Sequence, residues 1–325
     1  MIKLPSFFLL ASLATLSPLL VHAQPVGKVH HVGILSGASD VPQFFDAFRH
    51  RLRELGHIEG KNIFFEHRYA AGDLNRLPDF AAQLIDEKVD LIVAVTTPAV
   101  VTAKKATTAI PIVMHNIPDP VGVGLVDSLA SPGGNVTGTS SLGLDLSGKR
   151  LELLKETVPK LTRVAVLWNA ADRGMVMMSE RIQAAAPPLG MSIKTLAVRD
   201  AQDINAVLGE TAKNRPDALY MIADRLTALH LNQVLDLAVK LKLPSVFEDE
   251  VFVNAGGLMA YGADRAEMNR RTAGYVDKIL RGTPPRNLPV EQPMKFELAI
   301  NLKTAKQIGL TIPQNVLARA DRVIK

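Results

Sequence analysis

The chain has no cysteine. That absence excludes disulfides, thiolate metal sites and a cysteine nucleophile, and it removes the residue that would carry a lipid anchor after export. Aromatic residues are only 5% of the 325 positions, with a single tryptophan, and no block of Lys or Arg interrupts the scatter of charges. A formal net charge of +5 spread in this way supplies neither the basic stripe nor the interleaved rings of a nucleic-acid surface. Catalytic and metal signatures are missing too. There is no HExxH, no EF-hand loop and no G-x-S-x-G around Ser36 or Ser128, and Gly122-Val123-Gly124 lacks the third glycine of a dinucleotide fingerprint. His30 and His31 are adjacent on an expected strand and point to opposite faces, so they make no simple chelate. The expectation is a protein with no metal, no cofactor and no catalytic residues.

One near-match invites error. Gly143 to Arg150 reads GLDLSGKR, the spacing of a phosphate-binding loop up to its last position, where Arg150 replaces the Mg²⁺-holding Ser or Thr. Polar linker precedes it instead of a buried strand, so Leu146-Ser147 reads as a helix entry.

What is present begins at the N-terminus. Lys3 is followed by FFLLASLATLSPLLVHA, an apolar run broken at Pro18 and ending in small residues at Val21-His22-Ala23. This reads as a secretory signal peptide, residues 1–23, cleaved near Ala23; the run is too short and interrupted for a membrane anchor. Its removal takes away Lys3 and leaves +4. The expected mature protein is periplasmic, free in solution and not lipid-anchored.

With 47% apolar residues over this length, the chain can bury a sizeable core and suits two domains. Apolar runs alternate with helical periodicity. Val29 to Ser36, Asn62 to Tyr69, Leu91 to Val95 and Ile110 to Met114 read as strands. Helices are expected over Phe44 to Leu55, Asn75 to Lys88 and the segment after Thr97. Asn135 to Gly138 reads as a further strand and Thr139 to Leu144 as a linker, with Leu151 to Val158 on a helix. A second series follows: strands at Arg163 to Trp168, Ser192 to Val198, Asp217 to Ala223 and Pro244 to Phe247, and helices at Asp203 to Lys213 and Asp264 to Leu280. The tail, Phe296 to Leu310, reads as a strand and a helix closing at Gly309. The fold class is therefore α/β with mainly parallel sheets.

The two series run in step. Leu55-Gly56 matches Leu189-Gly190, Gly72-Asp73-Leu74-Asn75 matches Gln202-Asp203-Ile204-Asn205, and Asp90-Leu91 matches Asp217-Ala218. Two similarly wound lobes are expected, with chain crossings near 139–144, 258–262 and 283–292. The first lobe is then 24–140 plus 262–284, and the second 141–261 plus 285–325. Several crossings make a hinge, and two facing strand-end surfaces make a closable cleft.

In such sheets ligands bind beyond the carboxyl ends of the strands. The polar residues there are Ser36, Thr96, Thr97 and Asp119 in the first series and Asn169, Asp224 and Glu248 in the second. Thr96-Thr97-Pro98 places two hydroxyls at a helix N-terminus, suited to a carboxylate or another anion. Asp224 and Glu248 suit a cation such as an α-ammonium group. Trp168 and Tyr261 are candidates to flank an apolar or planar moiety.

Long stretches then resemble a known family. FRHRLRELGHIEGKNIFFEHRYAAGD, TTPAVVTAKKATTAIPIVMHNIPDPVGVGLVDSLASPGGNVTG, LSGKRLELLKETVPKLTRVAVLWN, AGGLMAYGAD and LPVEQPMKFELAINLKTAKQIGL resemble ABC-transporter substrate-binding proteins with a type I periplasmic-binding fold, in the tryptophan- and tyrosine-type branch. The resemblance implies two Rossmann-like lobes joined by crossing hinge strands. A small ligand, an amino acid or related carboxylate, is enclosed between them and delivered to an ABC permease of the inner membrane by a monomeric, non-enzymatic protein. It places Ser36, Thr96-Thr97 and Asp119 as first-lobe contacts and Asn169, Asp224 and Glu248 as their second-lobe counterparts. Ala170 stands where relatives commonly carry Pro, and Glu248-Asp249-Glu250 is more acidic than usual. Two alternatives stand beside this expectation: a periplasmic sensor presenting ligand to a membrane receptor, and an enzyme using Asp119, Asp224 or Glu248 as acid or base.

Overall fold

Alternation along the Val/Ile-rich runs sets the layers. In β1 (His30–Ser36), Val32 and Ile34 turn to one face and Leu35 to the other. β3 (Leu91–Val95) divides the same way, Leu91 and Val93 against Ile92 and Ala94. Helices bury both faces, which is why the runs are apolar throughout. A computed structural model of the chain describes residues 28–38 and 42–325; the expected signal peptide, 1–23, lies outside them.

The first sheet adds β2 (Ile63–Tyr69), β4 (Ile112–Ile117) and β5 (Val136–Ser140) in the order β2-β1-β3-β4-β5, all parallel. α1 (Pro42–Glu54) lays Phe45, Phe48 and Leu52 on one face, while α2 (Leu77–Asp86) and α3 (Thr97–Ala106) cover the other with Leu84, Ala99 and Val100. The helix expected over Asn75–Lys88 is a 3₁₀ turn, Leu74–Arg76, followed by α2. Pro78 in the first turn of α2 has no N–H to continue a helix across that junction.

The second half opens with α4 (Gly143–Thr157), β6 (Arg163–Asn169), α5 (Arg173–Ala185), β7 (Ser192–Val198) and α6 (Ala201–Asn214). It continues through β8 (Ala218–Met221), α7 (Arg225–Leu229), α8 (Leu231–Leu241), β9 (Ser245–Phe247), α9 (Glu250–Asn254) and β10 (Met259–Ala263). After α10 (Arg265–Leu280) come β11 (Phe296–Asn301), α11 (Leu302–Ile308), α12 (Gln314–Leu317) and β12 (Arg322–Ile324). The second sheet runs β12-β11-β10-β9-β8-β6-β7, parallel except where β11 opposes β10.

The order β7-β6-β8-β9-β10 reproduces β2-β1-β3-β4-β5, and the sequence match has a physical basis. Asp90, just before β3, accepts the His31 N–H at 2.9 Å, and Asp217, just before β8, accepts the Arg163 N–H at 2.9 Å. Each carboxylate ties the central strand to its neighbour. Asp73 and Asp203 do not share a role: Asp73 caps the 3₁₀ turn, whereas α6 is capped by Asp200, with Asp203 in its first turn.

α4 begins at Gly143, and β5 runs to Ser140, so the linker expected over 139–144 shrinks to 141–142. The stretch GLDLSG is helical despite two glycines because Leu144, Leu151 and Leu154 join the core cluster of the second half, where burial outweighs propensity. α10 crosses back and packs Ala273, Tyr275, Val276 and Ile279 in the cluster it forms with β3, β4 and α1. β10 pairs with β11 as far as Ala263, so the middle crossing falls at 263–265, beyond the expected 258–262. The crossings lie side by side: Ser140 N–H donates to Glu291 O (2.9 Å), Glu291 N–H to Gly138 O (3.0 Å) and Asp264 N–H to Lys295 O (3.1 Å). No helix among the described residues is long and apolar enough to cross a membrane.

Candidate functional site

The carboxyl ends of both sheets open onto one cleft of about 460 Å³, a size ordinary for a small-molecule site. On the first lobe its wall is the end of β3 and β4. Thr96 has φ +103°, a conformation a β-branched residue rarely adopts. Its Oγ1 accepts the Gly37 N–H (3.3 Å) instead of capping α3. α3 makes its first turn with Val100 N–H donating to Thr96 O, and its N-terminus, Thr96 to Pro98, lines the cleft with first-turn amides that have no partner within the helix. At the floor, His115 Nδ1 lies 2.8 Å from Thr272 Oγ1 of α10. Burial, helped by the Arg265 charge, pushes the His115 pKa down to about 3, so this imidazole is neutral. Asn116, at φ +55°, is fixed by its N–H donating to Thr139 Oγ1 (2.9 Å).

The opposite wall is charged. Asn169 ends β6 and donates from Nδ2 to Asp224 Oδ2 (2.5 Å), while Asp224 Oδ1 accepts the Thr227 N–H in a capping box that starts α7. Asp172 caps α5, accepting the Gly174 N–H at 2.8 Å; burial and the nearby Asp224 raise its pKa to about 6. Glu248 follows β9. Burial raises its pKa to about 7, opposed by Arg150 and reinforced by Asp249 and Asp224.

Arg150 explains why that burial is tolerated. It is 2% exposed and held from three sides: Nε donates to Tyr261 O (2.7 Å), and Nη1 to Tyr220 Oη (3.1 Å) and Gly143 O (3.2 Å). Nη1 stands 3.6 Å from Glu248 Oε1. Gly262 fixes the backbone there, because a Cβ at that position would meet Glu248 O at 1.8 Å. Arg225, Arg199, Asp249 and Arg265 complete the charged lining, with Asp249 and Arg265 paired at 2.8 Å. Leu142, Leu146, Met175, Met178 and Phe252 form the apolar part.

Five of the expected residues therefore meet in one cleft: Thr96, Thr97, Asn169, Asp224 and Glu248. Ser36, Asp119 and Tyr261 are not part of its lining. Ser36 is buried and accepts the Ala38 N–H (3.0 Å), shaping the Gly37–Ala38 loop that does line it. Asp119 accepts the Gly122 N–H (2.8 Å) in the turn after β4. The Tyr261 ring packs on Phe296, and its contribution is the carbonyl that holds Arg150. Trp168, one residue before Asn169, points to the other face of β6 and packs on the core.

Arg150, Asp172, Asn116 and Arg265 were not among the expected residues. Arg150 carried a signal: it shares the buried face of α4 with Ser147, Leu151 and Leu154 at helical spacing. The lobes also touch at the rim. A Cβ on Gly174 of α5 would lie 2.9 Å from Thr97 Oγ1, and one on Gly122 would lie 2.7 Å from Met177 Cε.

Comparisons with known proteins fit this geometry. The tyrosine-binding protein of Clostridioides difficile is 29% identical over 260 residues, 80% of this chain and 74% of that protein. A solved ABC domain in complex with L-Trp from Streptococcus pneumonia superposes with a TM-score of 0.85 at 26% identity, covering 91% of this chain and 100% of that one. The ligand-free, open structure of a substrate binding protein with adhesive properties from Clostridium difficile reaches 0.65 at 27% identity over the same shares. The family model for ABC transporter substrate binding proteins matches residues 33–324, and the chain belongs to that family of extracytoplasmic binding proteins, a class of proteins that are not enzymes.

Proposed function

We propose that the protein captures an amino acid zwitterion, an aromatic one by preference, between its two lobes and hands it to an ABC permease of the inner membrane. One observation carries this reading: the N-terminus of α3, with Thr96 and Thr97, faces Asp224 and Glu248 across a single cleft. Helix-terminal amides and hydroxyls suit a carboxylate, and buried carboxyls with spare acceptor capacity suit an ammonium group. Four acidic and four arginine side chains line the second wall and hinge, so a ligand of zero net charge leaves the cleft balanced. Met175 and Met178 offer polarizable thioethers to a ring. The relatives named for tyrosine and bound to L-Trp support the aromatic preference.

Capture proceeds without covalent chemistry. Ligand docks on the first lobe, the second lobe rotates in, and the contact of Gly174 with Thr97 marks the closed form. Support comes from the better superposition on the L-Trp complex than on the open, ligand-free relative at nearly equal identity. We place the mature protein in the periplasm as an unanchored monomer after cleavage near Ala23. Titration calorimetry with L-Trp, L-Tyr and L-Phe is expected to give saturable binding, with contraction in X-ray scattering. A full panel of amino acids producing neither heat nor contraction would sink the proposal.

A further inference from the structure

Glu248 is built into the cleft wall with an oxygen left over. Its Oε1 is buried and has no hydrogen-bond partner among the described residues. Arg150 does not supply one: the nitrogen nearest to it, Nη1, stands 3.6 Å away and donates to Gly143 O and Tyr220 Oη, while Nε donates to Tyr261 O. Rotating the guanidinium toward Glu248 would break those bonds. Neither neighbouring acid competes for the arginine. Asp224 is engaged by Asn169 and the α7 capping box, and Asp249 by Arg265 and the Val251 N–H.

The groups facing Glu248 are thus Arg150 from α4, Tyr220 from β8, Asp224 before α7 and Asp249 beside it, with Tyr261 of β10 acting through its carbonyl. On the first-lobe side the lining carries one ionised side chain among the described residues, Arg265 of α10, which is paired with Asp249, since His115 is neutral. A buried carboxyl with one half-engaged cation and two acidic neighbours holds a proton more tightly than usual, and a new cation at the free oxygen reverses that preference.

We infer that Glu248 selects for a cationic group on the ligand and exchanges a proton for it on capture. This rests on the zwitterion reading above and specifies how that site is regulated. The balance is simple: neutral Glu248 loses its proton to solvent through the open cleft, the carboxylate pairs with the incoming ammonium, and the two new charges cancel. Binding is therefore coupled to pH. With the empty-cleft carboxyl titrating at about 7, affinity rises about tenfold per pH unit well below that point and levels off above it.

The test is calorimetry of L-Trp and L-Tyr in buffers of different ionisation enthalpy, from pH 5.5 to 8.5. About half a proton per ligand is expected to be released at pH 7, falling toward zero above pH 8. Indole-3-propanoate, which keeps ring and carboxylate but lacks the ammonium, should release none. Glu248→Gln, isosteric and checked by thermal melting, should abolish the release and weaken L-Trp about thirtyfold or more. Release that persists in Glu248→Gln, or proton uptake by the wild type, overturns the inference. Tight L-Trp binding without any proton exchange overturns it while leaving the zwitterion reading intact. Failure of every amino acid to bind overturns both.

Discussion

The two walls of the cleft solve the same task with different materials. The first-lobe wall works through its backbone: a strained Thr96, a left-handed Asn116 and the open amides of α3 are all held in place before any ligand arrives. The second-lobe wall works through ionisable side chains whose charge depends on burial, Asp172, Asp224, Glu248 and Arg150. The walls also titrate in opposite senses. His115 is kept neutral, with its pKa at about 3, so the native state gains stability as pH rises from about 3 to the unfolded value near 6.5. Glu248 and Asp172 have raised values, about 7 and about 6, so the native state loses stability as pH rises from the ordinary carboxylate range through those points. The overlap is a window in which the two trends offset. A preorganised wall can hold its geometry through opening and closing, while the charged wall responds to what is bound.

The comparison breaks most sharply at Arg150. Arg150→Ala leaves Tyr261 O, Gly143 O and Tyr220 Oη without their donor and removes the counter-charge of Glu248; the expected loss is about 3–5 kcal/mol in urea unfolding. A loss under about 1 kcal/mol would mean the guanidinium is not the keystone of the second wall.

Next in size is the opposed titration. Glu248→Gln should remove a penalty of roughly 2–3 kcal/mol from the ligand-free protein at pH 8 and leave stability at pH 4.5 nearly unchanged. His115→Gln should flatten the acid side instead. Melting curves of the three proteins from pH 4 to 8.5 separate the two contributions, and parallel curves would contradict the assignment.

Closure comes third. A Cβ on Gly174 would press on Thr97 Oγ1 from 2.9 Å, so Gly174→Val wedges the rim. Overpacking of about 1–3 kcal/mol on the closed form should weaken ligand binding roughly tenfold to a hundredfold, with only a small fall in the melting temperature of the free protein from the 3.2 Å approach to Asp172 Oδ1. Scattering of the variant at saturating ligand is the discriminating measurement; contraction equal to wild type would mean that the rim contact does not limit closure.

Smallest is Thr97→Val. The amide at the α3 N-terminus survives and only a hydroxyl is lost, so affinity should fall by a factor of about 2–10. A larger effect than that of Gly174→Val would shift the weight of the site from geometry to this one hydroxyl.

Much of this was legible in the chain. Short apolar runs bounded by polar residues marked the central strands, the Asp90 and Asp217 correspondence reported a real repeated hydrogen bond, and the strand-end rule picked out Thr96, Thr97, Asn169, Asp224 and Glu248, which line the cleft. Each of these depends on local spacing or on a repeat, both of which survive in one dimension. Ser36 and Asp119 were marked by the same rule, and Tyr261 as an aromatic flank, yet none of the three lines the cleft. A strand end offers two faces, and the flanking residues alone do not say which one meets the ligand. Arg150 went unread because its segment resembled a failed phosphate loop, which drew attention from its helical spacing with Leu151 and Leu154.

By itself the sequence determined the α/β class, the doubled winding and the placement of hydroxyls and carboxyls at strand ends, because apolar periodicity and helix entry are written in neighbours a few residues apart. The tertiary structure decided the rest. It returned α10 to the first sheet and laid the three crossings side by side. It brought Gly174 against Thr97 and set Arg150 beside Glu248. Those pairings join residues far apart in the chain, and the charge a carboxyl carries depends on the water and countercharges around it, which exist only once the lobes are folded.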